Sequence, residues 1–277
     1  MLAVLLFVLA PVIGTLWTSF FRDVSYLPRE LVGLENYRTV LTNRQFWHAV
    51  WFTLAFTVVA VAGEAVFGLA FAVLLHQGFR GRGILRTVIL VPWAIPTIVS
   101  AKVWKLIFEY TYGVLNFIAT NIGLSEAKVN WLGTTFNAFW ALIIAEVWKT
   151  TPFMVIILLA GLQAVPEDIY SQARIDGARM MRRFWTMTLP LLRPVLVIAL
   201  VFRTIDSLRI FDLVYVLTGG GPGGGTTTLS MLGYEYFTND RFGLGSTVSL
   251  LTFAVAMAVT ILYIRVGRFR QSLEQGG

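Results

Sequence analysis

Six stretches of this chain stay apolar for long enough to cross a lipid bilayer, and that constrains its fold more than any motif does. A hydrocarbon core about 30 Å thick needs about 20 apolar residues of helix. The runs Met1–Phe21, Ala49–Leu75, Ile84–Phe108, Asn137–Leu162, Leu191–Leu217 and Leu244–Val266 each meet that length. Composition agrees: 57% of the 277 residues are hydrophobic and 13% are charged, against about 25% charged in soluble domains. The expected fold is an all-α polytopic membrane protein of about six transmembrane helices. The first run has no basic n-region and is too long for a signal-peptide core. It reads as a genuine span, one that a short basic leader ahead of residue 1 would complete.

The net charge of +7 does not point to nucleic acid, because the arginines punctuate apolar runs instead of gathering on one solvated domain. That is the pattern of topology signals. With the N-terminus inside, the inner segments hold Arg80, Arg82, Arg86, Arg174, Arg179, Arg182, Arg183, Arg193, Arg265, Arg268 and Arg270. The outer segments hold Arg22, Arg29, Arg38, Arg44, Lys128 and Arg241. The excess favours an N-in, C-in topology, and places residues 166–190 in the cytoplasm. Cysteine is absent, which removes disulfides and thiolate metal sites. His48 and His76 are far apart and form no metal-ligand spacing. No phosphate-binding loop ending in Lys-Ser/Thr occurs, so the chain carries no ATPase site of that kind.

Breakers refine the spans. Pro92, Pro96 and Pro152 each remove a helical hydrogen bond and predict kinks or breaks. Gly68 with Ala72, and Ala254 with Ala258, are small residues four apart that permit close helix contact. TGGGPGGGTTT at 218–228 reads as a flexible outer loop.

The cytoplasmic stretch 173–194, ARIDGARMMRRFWTMTLPLLRP, needs its own account. Pro166 suits a first helical turn, with Glu167 and Asp168 near the positive end of the helix dipole. A short helix through Ile169, Tyr170, Ala173 and Ile175 would turn at Gly177. A second would carry Arg179, Arg182 and Arg183 before Pro190 and Pro194 reset the backbone. Composition alone fits a protruding knob and also an amphipathic helix lying on anionic lipid.

This segment resembles the cytoplasmic signature of permease subunits of binding-protein-dependent ABC importers: Glu-Ala-Ala, three residues, Gly, nine residues, Ile-x-Leu-Pro. Ala173, Asp176, Gly177, Ala178, Leu189 and Pro190 match, and nine residues separate Gly177 from Met187. Ser171-Gln172 replace the leading Glu-Ala, and Met187 replaces Ile. GLENYRTVL, RTVILVPWAIP, EVWKTTPFM and VLTGGGP extend the likeness over nearly the whole chain, most similar to the maltose, trehalose and glycerol-phosphate permease group. The resemblance implies the type I ABC importer permease fold. It also implies a first helix with its outer loop (1–44), then a core transmembrane domain (45–270) with a coupling loop at 166–190. The implied partners are a second permease subunit, an ATPase subunit dimer that uses ATP and Mg, an extracytoplasmic solute-binding protein, and a sugar; no cofactor is bound by this chain. The implied location is a bacterial or archaeal cytoplasmic membrane, and the implied mechanism is alternating access. A permease for glycerol phosphate or another small polar solute, or a secondary transporter, stays as an alternative. An intramembrane enzyme is not favoured: no His/Asp metal constellation or Ser-His arrangement is visible in the spans.

Ionisable residues within spans cost about 2.5–3.5 kcal/mol each on insertion scales, so each invites a functional reading. Glu64 stands in the second span, Lys102, Lys105 and Glu109 in the third, and Glu146 and Lys149 in the fourth. Lys105 with Glu109, and Glu146 with Lys149, have the spacing of intrahelical pairs. RTIDSLRIFD places Arg203, Asp206, Arg209 and Asp212 three apart, a row that winds about 60° per step around a regular helix. Such a row is either a ladder of structural ion pairs or a polar strip beside the solute path. On the second reading Phe202, Phe211 and Tyr215 stack on sugar rings, and Glu146 and Lys149 join the path.

Overall fold

The computed structural model describes residues 2–123, 126–175, 177 and 179–275. The chain opens with apolar helix α1 (Leu2–Ser19), followed by a short antiparallel ribbon of β1 (Phe21–Arg22) and β2 (Glu30–Leu31). Helix α2 (Glu35–Thr42) leads through Asn43, which caps the next helix by accepting from Gln45 N, into α3 (Arg44–His76). Then come α4 (Arg82–Ala94), α5 (Thr97–Ile107), α6 (Val114–Asn121) and α7 (Thr135–Gln163). The amphipathic α8 (Glu167–Ile175) and the four-residue α9 (Met180–Arg183) precede a π-helical turn, Phe184–Thr188, that runs into α10 (Leu189–Leu208). Helices α11 (Asp212–Leu217), α12 (Leu229–Thr238) and α13 (Phe242–Gln275) complete the bundle.

Helices α3 and α7 form the spine, with α10 and α4 packed on them. Gly68 lets the spine close, because a Cβ there would collide with Met154, and Ala72 beside it is fully buried. Three apolar clusters follow the spine. One joins Phe46 and Val50 to Leu229, Leu232 and Val248. A central one joins Phe56 to Phe108, Leu142, Leu213 and Leu217. The third joins Ala72 to Met154, Leu158, Leu192 and Ala199. Large apolar residues such as Trp51, Val66 and Phe253 remain exposed on the outside while charged ones are buried within. That inversion is what a hydrocarbon solvent demands.

Several expectations are corrected here. Among the described residues, four helices are long and apolar enough to cross a membrane: Arg44–His76, Thr135–Gln163, Met180–Leu208 and Phe242–Tyr263. The third expected span is instead two helices, α4 and α5, bent by 94°. Only Pro96 marks that break; it follows Ile95 in extended conformation, as the residue before proline prefers. Pro92 and Pro152 sit inside uninterrupted helices. The fifth span does not run to Leu217, because it stops at Leu208 and restarts at Asp212. Nor does Pro190 separate a short helix from it: the π turn hands the chain over, with Leu189 N bonded to Phe184 O. Ala254 and Ala258 lie on the exposed face of α13.

The glycine-rich stretch is not loose either. Thr226 N donates to Gly220 O, the Thr226 hydroxyl lies 2.8 Å from those of Thr218 and from Gly221 O, and Thr226, Thr227 and Thr228 are buried. Thr228 caps α12 by accepting from Met231 N. Glycine is needed at 219, 220, 223 and 224, where φ is positive.

Candidate functional site

Two places on this frame gather the residues singled out by the sequence. The first is the knob after α7. Helix α8 is held against the end of α3 by Tyr170, whose ring lies 6.1 Å from that of His76. Ala173 is buried beneath it, Gln172 is exposed, and Gly177 turns the chain at φ +72°. Leu189 is half-buried and Pro190 exposed at the start of α10. Asp176 and Ala178 lie outside the described residues, as does the side chain of Ser171. Sequence reasoning overlooked the neighbours Met180, Met181 and Trp185, which stand 62%, 68% and 60% exposed. Three large apolar residues thus stand exposed behind the glycine corner, two of them methionines, whose unbranched side chains adapt their shape.

The second place lies inside the bundle, where α3, α7 and α10 meet. Arg203 Nε donates to Glu64 Oε2 at 2.6 Å, and Nη2 donates to Glu64 Oε1 and Glu146 Oε1, each at 2.9 Å. Its Nη1 donates to Asp206 Oδ2 at 2.5 Å. The Thr150 hydroxyl lies 2.7 Å from Glu64 Oε1 and 2.6 Å from Glu146 O, and its single proton serves one acceptor at a time. Glu64, Glu146 and Arg203 are buried to 0%, 6% and 3% exposure. Charges taken this far from water persist only when paired and hydrogen-bonded. Here the guanidinium is bonded on all three nitrogens.

Asp206 differs from the rest of the cluster. Its side chain is 60% exposed, and its other oxygen is 3.9 Å from Arg209, which is also exposed. The cluster therefore has a dry interior and one open edge. Beside that edge Phe211 stacks on Tyr215 at 5.3 Å, and Tyr234 of α12 meets both at 5.0 and 5.5 Å. A groove of about 590 Å³ between α10, α12 and α13 opens there, lined by Arg209, Phe211, Ser230, Tyr234 and Thr252 among others.

The expected members divide. Arg203, Asp206 and Glu146 meet in one cluster, Arg209 joins its edge, and Phe211 and Tyr215 stand beside it. Asp212 is exposed in the first turn of α11, outside that cluster, and Phe202 is exposed on α10 without an aromatic contact among the described residues. The intrahelical pairs are corrected. Glu146 pairs with Arg203, and Lys149 donates to the Ile95 carbonyl at the α4–α5 break, 2.8 Å away. Lys105 donates to Val216 O, and Glu109 accepts from the backbone of Thr111 and Tyr112. Glu64 had no assigned partner. Its signal was a single carboxylate in an otherwise uncharged apolar span.

The family described as binding-protein-dependent transport system inner membrane component matches residues 64–275. The trehalose/maltose transport system permease protein MalF of Thermococcus litoralis is 52% identical over 269 residues, covering 97% of this chain and 90% of that protein. The trehalose transport system permease protein SugA of Mycobacterium tuberculosis is 40% identical over 259 residues, covering 92% of this chain and 82% of that one. Among solved structures, a bacterial ABC transporter involved in the import of the acidic polysaccharide alginate superposes with a TM-score of 0.84 at 21% identity. It covers 95% of this chain and 90% of its own, and at that identity it shows the fold.

Proposed function

The chain belongs to the family of binding-protein-dependent transport system inner membrane components, and on that premise we propose that it forms half of a sugar-import pathway powered by separate ATPase subunits. Its fold is that of an ABC importer permease, and it is an inner-membrane component. The observation that carries the solute class is the open edge of the buried ion cluster beside the aromatic trio. Asp206 offers acceptors to hydroxyl groups, and Phe211, Tyr215 and Tyr234 offer apolar faces to a ring. Those are the two surfaces a sugar presents, and pockets that bind small molecules combine them. Three carboxylates around Arg203 favour a neutral polyol over a phosphate. The 52% identity to a trehalose/maltose permease supports a disaccharide of that kind.

In this reading residues 1–44 are a first helix and outer loop, and residues 45–270 are the core. The knob at 166–190 faces the cytoplasm and seats on the ATPase through Met180, Met181 and Trp185. Closure of the ATPase dimer on ATP and Mg pushes that knob. Helix α10 continues from it through the π turn to Arg203 and Asp206, so the push reaches the polar cluster along one rigid element. A second permease subunit completes the path, and a solute-binding protein delivers the sugar from outside.

The test is uptake by vesicles holding the chain with its partner permease, ATPase and binding protein. Trehalose or maltose should enter in an ATP-dependent way, and Tyr215→Ala should cut uptake about tenfold, as loss of about 1.4 kcal/mol of solute contact would. Uptake that needs no ATPase and follows an ion gradient would instead make the chain a secondary transporter.

A further inference from the structure

A second cavity, of about 650 Å³, lies between α3, α4 and α7 and shares no lining residue with the groove between α10, α12 and α13. Phe67, Phe71, Ile89, Pro92, Ile144 and Trp148 line it, and no charged residue does. Its one hydroxyl side chain, Thr151, is bonded to Val147 O. Apart from the indole N–H groups of Trp140 and Trp148, such a lining offers a polar solute no free hydrogen-bonding group. Along α3 the groove extends from Val59 to Phe71, about 18 Å at the helical rise of about 1.5 Å per residue. One leaflet of hydrocarbon is about 15 Å deep.

One end of the groove is basic. Arg82, Arg86 and Ile89 share a face of α4 at helical spacing, and Ile89 is part of the lining. Helical side chains lean toward their own N-terminus, so both arginines reach from the groove toward the membrane surface. Arg80 lies exposed just ahead of them. Arg82 donates to Gln77 O at a long 3.5 Å, and Arg86 Nη2 donates to Leu75 O at 3.3 Å. Neither forms an ion pair with a carboxylate among the described residues. Among the described residues Arg86 Nε is buried without an acceptor, so contact with a headgroup falls to its Nη groups and to Arg82.

We propose that this groove seats one anionic phospholipid, with an acyl chain along α3 and α7 and its phosphodiester against Arg82 and Arg86. An apolar trough one leaflet long and a cationic rim at the surface end are the two halves of such a molecule. Zwitterionic lipid satisfies the trough but gains little from the rim. The lipid fills the recess where the broken α4–α5 pair stands off from the spine, and so supports the helix whose end Lys149 holds through Ile95 O.

The experiment uses the purified transporter complex, without solute or ATP. Phosphatidylglycerol and phosphatidylcholine bearing the same photoactivatable acyl chain are added, and adducts are mapped by peptide mass spectrometry. Phosphatidylglycerol adducts on peptides containing Phe67, Ile89 or Ile144 should exceed phosphatidylcholine adducts by about thirtyfold, the scale of two basic residues meeting one anionic headgroup. The double substitution Arg82→Gln, Arg86→Gln should make the two lipids label equally. Ile144 is exposed in the groove, so Ile144→Trp should fold and should block labelling by both while the arginines remain. Equal labelling of the unaltered protein by both lipids would overturn the proposal, since it would mean ordinary surrounding lipid. So would an absence of groove adducts together with a cross-link from Ile144→Cys to a partner subunit, which would show a protein helix in the trough.

Discussion

Arg203 joins three helices through one guanidinium. It ties α10 to α3 through Glu64 and to α7 through Glu146, with all three groups withdrawn from solvent. Replacing it by Leu strands two buried carboxylates, a loss of about 3–5 kcal/mol for a broken buried pair. The purified complex should melt well below the unaltered one. The double variant Glu64→Leu, Arg203→Leu should lose less than the sum of the two single changes, because residues in one network are not additive. Asp206 stands apart. Its side chain is 60% exposed although Arg203 is buried, and Arg203 keeps Glu64 and Glu146 without it. Asp206→Asn should therefore cost about 1 kcal/mol or less while sugar uptake by vesicles falls. A melting temperature lowered as far as in Arg203→Leu, with uptake per folded complex unchanged, would make Asp206 scaffolding.

At the scale of elements, the knob and the breaks matter most. Gly177 has φ +72° and open space where a Cβ would stand. A Cβ there meets nothing within 4 Å, so the cost at that atom is the left-handed backbone, about 1–2 kcal/mol for an L residue. Gly177→Val should leave the protein inserted but should reduce both co-purification of the ATPase and transport. Full solute-stimulated ATP hydrolysis in that variant would exclude Gly177 from the docking corner. Prolines were a poor guide to breaks: of Pro92, Pro96, Pro152, Pro190 and Pro194, only Pro96 interrupts a helix pair. A missing N–H weakens a helix locally, but the helix Thr135–Gln163 runs on through Pro152, which is buried. At Pro190 the chain widens into a π turn instead, since Pro190 itself can donate no bond.

For the whole molecule, the side that each end faces is read by chemical labelling. The chain has no cysteine, so single reporters read cleanly. Gly78, in the exposed α3–α4 link with free space around it, and Tyr112, 70% exposed beyond α5, lie at opposite ends of the broken pair. With the knob in the cytoplasm, an impermeant thiol reagent applied outside intact cells should modify Tyr112→Cys and spare Gly78→Cys. Modification of both from outside would reject the N-in arrangement.

By itself the sequence determined the solvent, the helical class and the segment that turns at Gly177, and it offered Pro96 as one of several places for a break. Each of these follows from composition or backbone chemistry within a few neighbouring residues: apolar length, a glycine at positive φ, an extended residue before proline. Only the tertiary structure decided which charges meet. Arg203 and Glu64 are 139 positions apart, and nothing local to either one names its partner. The same holds for Lys149 at the carbonyl of Ile95, for the burial of the threonines after the glycine run, and for the stop at Leu208. These depend on which helix surfaces face each other, and a buried charge or an unbonded carbonyl is satisfied by whichever group the packing brings within about 3 Å.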